Sequence, residues 1–253
     1  MIDIHTHILP GIDDGVGDIT DAILMAELAL EGGVDTMIAT PHCNIPWENN
    51  EKRGEIVAGT YQGFRSFLEE KQIPLKILPG MEIYATEDMG EKIRQGELIS
   101  LNESGYYLVE FGFKDSMDWC SQCLQDIFEA GGIPIIAHAE RFHCIQRQPE
   151  RIHQWLEMGC QIQVNKGSIF GSFGYHAKKT AMWMLYHDCV TYVASDAHSP
   201  YQRNTFMGDV RDFLSEELSK KKALELLQNN AEKYLVEKES NRKSSQNNSS
   251  NNR

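Results

Sequence analysis

A chain of 253 residues, 41% of them apolar and 24% charged, carries enough hydrophobic material for a sizeable core, which excludes a disordered main body and allows one α/β barrel. Its 24 basic residues against 37 acidic ones leave a net charge of −13, which disfavours extended nucleic-acid binding. No apolar run approaches the roughly 18 residues of a membrane span. The N-terminus meets His5 and Asp13 where a signal peptide would carry its apolar stretch, so a cytoplasmic protein is expected.

Short apolar runs fall at residues 1–4, 34–40, 75–80, 106–111, 133–137, 160–164 and 190–195, and each is too short for a comfortable helix. Seven strands are expected. Between them, a helix over 20–30 places Ile23, Ala26 and Leu30 on one face before Gly32 and Gly33, and a helix over 117–130 stops at Gly131 and Gly132. Pro149 suits the first turn of a helix that turns Ile152, Trp155 and Leu156 inward before Gly159. Helices over 177–187 and 206–218 follow.

Strand–helix alternation calls for parallel pairing through crossover connections, and strands apolar throughout are covered on both faces. The expectation is one α/β domain over residues 1–236, a distorted, TIM-like, seven-stranded β/α barrel. Residues 237–253 are almost wholly polar, offer nothing to bury, and read as a disordered tail.

Six cysteines are scattered through the chain with no secretory signal, which favours free thiols. Cys120 and Cys123 form a C-x-x-C, but with Leu124 and Ile127 they follow the inner face of an amphipathic helix, and no second pair has zinc-ribbon spacing. Core packing is expected.

The chemistry lies just past the strand ends. The first gives His5 and His7, which alternation places on one side, with Asp13 and Asp14 in the loop beyond. Later ends give His42, Glu82, Glu110, His138, and then Asp196 with His198. Charged groups beside apolar strands are costly to bury unless paired or coordinated, and in a parallel barrel these ends converge. Mixed imidazole and carboxylate donors suit two or three ions of manganese, iron or zinc better than calcium or magnesium. Closely spaced metals acidify a bridging water and clamp the attacking and leaving oxygens of a phosphoryl transfer, so phosphate-ester hydrolysis is expected. Arg141 and Arg203 are candidates to grip the phosphate, against the alternative of surface salt bridges.

Taken in order, His5-x-His7, Thr40-Pro41-His42, Gly80-x-Glu82, Glu110-Phe111, His138-x-Glu140-Arg141 and Ser195-Asp196-Ala197-His198 resemble the polymerase-and-histidinol-phosphatase (PHP) superfamily. More narrowly they resemble the PHP-type protein-tyrosine phosphatases of bacterial capsular and exopolysaccharide operons. The likeness runs from Met1 to about Tyr234. It implies a distorted seven-stranded barrel with a trinuclear, usually manganese-supported site. His5, His7, Glu82 and Asp196 would hold one ion, Glu82, Glu110 and His138 a second, and Asp14, His42 and His198 a third. Asp14 stands where relatives often place a histidine, Ala139 where the subgroup has proline, and Gln161-Ile162-Gln163-Val164-Asn165 is only loosely similar.

The implied substrate is the phosphotyrosine tail of a bacterial tyrosine kinase that regulates polysaccharide synthesis, attacked in line by a metal-bridging hydroxide without a phosphoenzyme. No cysteine is followed by arginine six positions later, the spacing of thiol-dependent tyrosine phosphatases. The alternatives are a small-molecule phosphatase, such as a histidinol-phosphate phosphatase, and a non-catalytic metal-stabilised module that binds the kinase. For Asp13, orienting a neighbour and capping its loop are both open; Tyr84 reads as packing at the solvent edge, Cys43 as a pocket wall, and His143 as a pocket border.

Overall fold

The structure, a computed structural model, describes residues 1–48 and 52–237. Among the described residues, nine strands run in chain order: β1 (Ile2–Thr6), β2 (Thr36–Ala39), β3 (His42–Cys43), β4 (Lys76–Pro79), β5 (Glu82–Tyr84), β6 (Tyr106–Glu110), β7 (Ile133–Ile136), β8 (Gln161–Asn165) and β9 (Tyr192–Ala194). The helices are α1 (Ile19–Glu31), α2 (Arg53–Glu70), α3 (Met89–Gln95), α4 (Met117–Glu129), α5 (His143–Arg147), α6 (Ile152–Glu157), α7 (Lys166–Phe170), α8 (Tyr175–Tyr186), α9 (Gly208–Glu217) and α10 (Lys220–Leu224). The reading of residues 237–253 as a tail lies, from residue 238 on, outside the described residues.

Every ladder is parallel, in the orders β1-β2-β4 and β3-β5-β6-β7-β8-β9. The result is a curled parallel α/β sheet of more than seven strands, because two of the expected strands are each followed, past the end of the apolar run, by a further short strand. Pro41, which has no N–H to give a ladder, separates β2 from β3. Gly80 separates β4 from β5 where the chain passes so close to its neighbours that a Cβ would lie 2.8 Å from both Ile38 Cγ2 and Leu101 Cδ2. The outer strands β1 and β9 meet through a Thr6–Ala197 bridge, with His7 N donating to Ala197 O at 2.9 Å and Asp196 N donating to His5 O at 2.9 Å.

Two apolar layers follow from the strand alternation. Ile38, Leu78, Leu108, Ile135 and Tyr192 belong to an inner cluster, whereas Met37, Ile77, Val109, Ile136 and Val193, one residue away on the same strands, pack in the layer shared with the helices. Ala231 and Leu235 of the C-terminal helical segment join the inner cluster. Helix α4 buries Met117, Cys120, Cys123, Leu124 and Ile127, and all six cysteines are free. Helix α2, which the sequence analysis does not assign, buries Val57, Tyr61, Phe64 and Leu68 at helical spacing.

Strand β1 carries an irregularity that matters for the site. Between Asp3 and Thr6 it advances three residues while β2 advances two, from Met37 to Ala39. Such a bulge turns the following side chains to the other face. Ile2 and Ile4 belong to the inner cluster by alternation, and the bulge turns His5 and His7 inward as well, above that cluster.

Candidate metal centre

The structure brings all nine sequence-predicted ligands together at the carboxyl ends of the strands. Glu82 stands at the middle, fully buried, with Oε2 3.1 Å from His5 Nε2, 3.2 Å from His7 Nε2 and 3.1 Å from His42 Nδ1. Its Oε1 lies 2.8 Å from His138 Nε2, and Glu110 Oε1 lies 3.1 Å from His42 Nδ1. Asp196 Oδ1 faces both His5 Nε2 and His7 Nε2 at 3.5 Å. Asp14 Oδ1 lies 3.4 Å from His42 Nε2 and 3.4 Å from His198 Nε2.

These atoms form three groups able to hold a cation: His5, His7 and Asp196; His42, Glu82 and Glu110; and His7, Asp14, His42 and His198. Donor atoms about 2.1 Å from one ion lie roughly 3.0–3.5 Å from each other, the range of the separations above apart from the shorter His138–Glu82 contact. Glu82 Oε2, His42 Nδ1 and His138 Nδ1 are buried without a hydrogen-bond partner. Buried polar atoms left unsatisfied are expensive, and a divalent cation at their centre satisfies the two that face Glu110 and the other imidazoles. The donor set therefore fits a metal.

A second ring of side chains fixes the imidazoles. Gln163 Oε1 accepts from His5 Nδ1 at 3.1 Å and from His138 N at 2.8 Å, while Asp13 Oδ2 accepts from His7 Nδ1 at 2.8 Å and from His42 N at 3.1 Å. Because amide and carboxylate oxygens only accept, Nδ1 carries a proton on His5 and His7, which leaves Nε2 of each, facing the centre, as the atom a metal would take. His198 is held likewise, with Nδ1 3.1 Å from Asp196 O. Gln163 Nε2 donates to Asn165 Oδ1 at 2.7 Å, and Asn165 Nδ2 donates to Asp196 Oδ2 at 2.5 Å. Asp13 also accepts from Gly15 N at 3.0 Å, so it orients His7 and caps its loop at once. Gly15 is required there: a Cβ would stand 2.3 Å from His7 O.

Sequence reasoning passed over Gln163 and Asn165, although Gln161, Gln163 and Asn165 alternate along β8 with apolar residues and so point polar groups to one face. It quoted Glu140 in His138-x-Glu140-Arg141 but gave it no role, and its buried Oε1 accepts from Asn165 N at 3.2 Å and Ser168 Oγ at 2.5 Å. Burial pushes the Glu140 carboxyl above its ordinary pKa.

Electrostatics match this geometry. With no metal bound, burial opposes ionisation of Glu82 and Asp196, yet the charge on a protonated His5 and hydrogen bonds from the other imidazoles hold both well below the carboxylate range. Burial also works against a charged His42, but Glu110 and Glu82 outweigh it and push its pKa up to about 9. Asp14 is lowered chiefly by its hydrogen bond with His198. Two of the residues, His138 and Asp196, sit at positive φ, +33° and +50°. Backbone held there costs of order 1–3 kcal/mol and persists where the surroundings fix it.

Both predicted arginines reach the rim. Arg203 Nη2 lies 2.6 Å from Asp196 Oδ2 and Arg141 Nη1 lies 3.6 Å from the same oxygen. The Arg141 guanidinium is stacked 4.5 Å from the Phe113 ring centre and 4.3 Å from that of Phe173. Gly167 makes room for Phe173, whose Cε2 would stand 2.7 Å from a Cβ at that position. On the other side, His42, Asp14 and Glu110 open onto a cleft of about 560 Å³ walled by Trp47 and Tyr84, whose rings meet edge to face at 5.3 Å. Trp47 is 72% exposed and was not singled out in the sequence, since a lone aromatic in a loop carries no spacing signal. Cys43 is buried, and burial pushes its thiol up to about 12, which removes it as a thiolate nucleophile.

A curled parallel sheet with imidazoles and carboxylates gathered at its strand ends defines a TIM-like α/β protein with a candidate metal centre. The chain belongs to the CpsB/CapC family of capsular polysaccharide synthesis, which matches residues 1–236. The tyrosine-protein phosphatase YwqE of Bacillus subtilis (strain 168) is 38% identical over 204 residues, spanning 81% of this chain and 80% of that protein. The tyrosine-protein phosphatase CpsB of Streptococcus pneumoniae is 32% identical over 243 residues, spanning 94% and 99%. A crystal structure from work on YwqE and CpsB, described as unique metal-dependent tyrosine phosphatases, matches with a TM-score of 0.85 and 35% identity over 93% of this chain and 94% of that one. A TatD-like protein from Archaeoglobus fulgidus shares the fold alone, with a TM-score of 0.56 and 11% identity over 93% and 99%.

Proposed function

We infer that this chain is a metal-dependent tyrosine-protein phosphatase of capsular or exopolysaccharide synthesis, working on the phosphotyrosine tail of a bacterial tyrosine kinase in the cytoplasm. The observation that carries the reading is the set of three donor groups around Glu82 with two arginines on Asp196 beside them. Manganese is the ion we assign, two or three per chain, with iron or zinc as alternatives. His5, His7, Glu82 and Asp196 would hold one, Glu82, Glu110 and His138 a second, and Asp14, His42 and His198 a third. The interrupted strands β2/β3 and β4/β5 are each read as one strand, which gives a seven-stranded barrel domain over residues 1–236.

The bound metals would supply an acidified water and positive charge for the phosphoryl oxygens. The protein's own part is orientation. Arg141 and Arg203 are set to take the phosphate oxygens in paired hydrogen bonds, and their planar guanidinium groups stabilise the charge that builds in the transition state. Asp13 and Gln163 hold His7 and His5 with Nε2 inward. Trp47 and Tyr84 offer the tyrosyl ring an aromatic wall next to His42 and Glu110. That wall and the open cleft favour a peptide side chain over a small phosphate ester.

The test is phosphate release by manganese-loaded protein from phosphotyrosyl peptides, phosphoseryl peptides and histidinol phosphate. Release from the phosphotyrosyl peptides, at least roughly 100-fold faster by kcat/KM than from the other two, is expected of an aryl-fitted pocket. Histidinol phosphate as the best substrate would replace this reading with the small-molecule one.

A further inference from the structure

Next to the metal centre lies a second cleft, of about 780 Å³, lined by Lys114, His143, Cys144, Arg147 and Arg151, with Asp115 as its one acidic side chain. In a chain of net charge −13 this concentration of cations stands out as a local inversion. Among the described residues, no carboxylate lies within 4.0 Å of the Lys114, Arg147 or Arg151 side-chain nitrogens. Asp115 is turned away to its own loop, where Oδ2 accepts from Gly112 N at 2.9 Å.

Two loops link the wall of the cleft to the site. One runs from Glu110 through Phe113 to Lys114, and the other from His138 through Arg141 to His143 and α5. They are tied together where His143 N donates to Phe113 O at 2.8 Å, and the Arg141 guanidinium lies over the Phe113 ring. A group bound by Arg141 therefore has neighbours within a few residues' reach of Lys114, Arg147 and Arg151.

We propose that this cleft is a binding subsite for acidic side chains that flank the phosphotyrosine in a peptide substrate. The proposal rests on the phosphatase reading above and adds to it a charge preference. Unpaired cations on concave walls favour a nearby anion, and their attraction is screened by salt. A short acidic stretch entering beside the phosphate-binding arginines would satisfy them; a phosphorylated neighbour carries the same chemistry. The alternative source of negative charge is an anionic lipid surface, which a concave cleft fits less well than a side chain.

The experiment uses manganese-loaded protein and fluorescent peptides bearing the non-hydrolysable phosphonate analogue of phosphotyrosine, flanked by glutamates, serines or lysines. Two or three partly exposed charge pairs amount to about a tenfold preference in Kd for the glutamate peptide over the serine peptide, falling with added salt. The double variant Arg147→Glu with Arg151→Glu is expected to abolish that ratio, and Arg151→Lys to keep most of it. Lys114→Glu, on the facing loop, should shift the ratio in the same direction and guards against a variant that disturbs α5. Equal affinity for all three peptides, a ratio unmoved by the charge reversals, or binding to phosphatidylglycerol vesicles in place of the peptides overturns the proposal. In parallel, the phosphotyrosyl forms are assayed for phosphate release. Absence of release with the binding order intact removes the phosphatase reading and leaves the subsite standing.

Discussion

His5 Nε2 and His7 Nε2 stand 3.3 Å apart, both turned to Glu82 Oε2. Their other ring nitrogens are already committed as donors to Gln163 and Asp13, so once the Nε2 protons leave, two lone pairs and a carboxylate oxygen converge on one point. A cation resolves that crowding of negative density. Metal binding is thus coupled to the stability of the fold.

Restoring manganese to stripped protein should therefore raise the melting temperature. At a free ion concentration of about 1,000 times Kd the linkage amounts to about 4.1 kcal/mol, or roughly 8–16 °C for a domain of this size. Differential scanning calorimetry with and without chelator measures it. Identical melting curves would show that the cluster holds no ion.

Proton release should accompany loading. Without metal, the His42 pKa is raised from its ordinary value of 6.5 to about 9, because Glu110 and Glu82 overcome the effect of burial. Its protonation therefore stabilises the metal-free fold fully below pH 6.5, and that contribution is lost as pH rises through about 9. A metal ligand must be unprotonated, so binding near pH 8 displaces about one proton from His42. Calorimetric titrations in buffers of different ionisation enthalpy count the protons. A buffer-independent enthalpy at pH 8 would contradict the arrangement.

Gln163→Leu removes the acceptor for His5 Nδ1 and His138 N while keeping the volume of the side chain. Loss of such an orienting partner costs about 10-fold to 100-fold in metal affinity. A fluorescence titration with manganese, alongside circular dichroism to follow the fold, reads the effect. Unchanged affinity would mean that the imidazole is oriented by packing alone.

Replacing Arg141 by alanine should lower kcat/KM on a phosphotyrosyl peptide by roughly 100-fold to 1,000-fold, the size of a lost transition-state donor. Arg141→Lys is expected to restore little of it. A lysine has no flat face to lie between Phe113 and Phe173 and no bidentate fork. Full activity of the lysine variant would assign Arg141 a charge role without the stacking.

The alternation of apolar runs and amphipathic stretches made the parallel α/β layout legible, and polar residues just past those runs marked the side chains that the structure gathers in one place. His5 and His7 were readable because two imidazoles at one strand end have little other use. The bulge in β1 was not readable, since it shows only in the register against β2. Pro41 did carry a signal for the break between β2 and β3, whereas the break at Gly80 comes from its close approach to Ile38 and Leu101, residues distant in the chain. For the same reason Phe173 could not be placed on Arg141: the contact joins the loop after α7 to the loop after β7, and no local spacing encodes it. Helix α2 was within reach, as Val57, Tyr61, Phe64 and Leu68 repeat at helical spacing, but three glycines weaken its propensity.

The most direct test of the metal-dependent site is phosphate release from a phosphotyrosyl peptide, followed on one preparation as its ions are removed and manganese is returned. The expected result is negligible release from fully stripped protein and recovery in step with two or three bound ions per chain. Undiminished release after complete removal of metal, verified by elemental analysis, would contradict it.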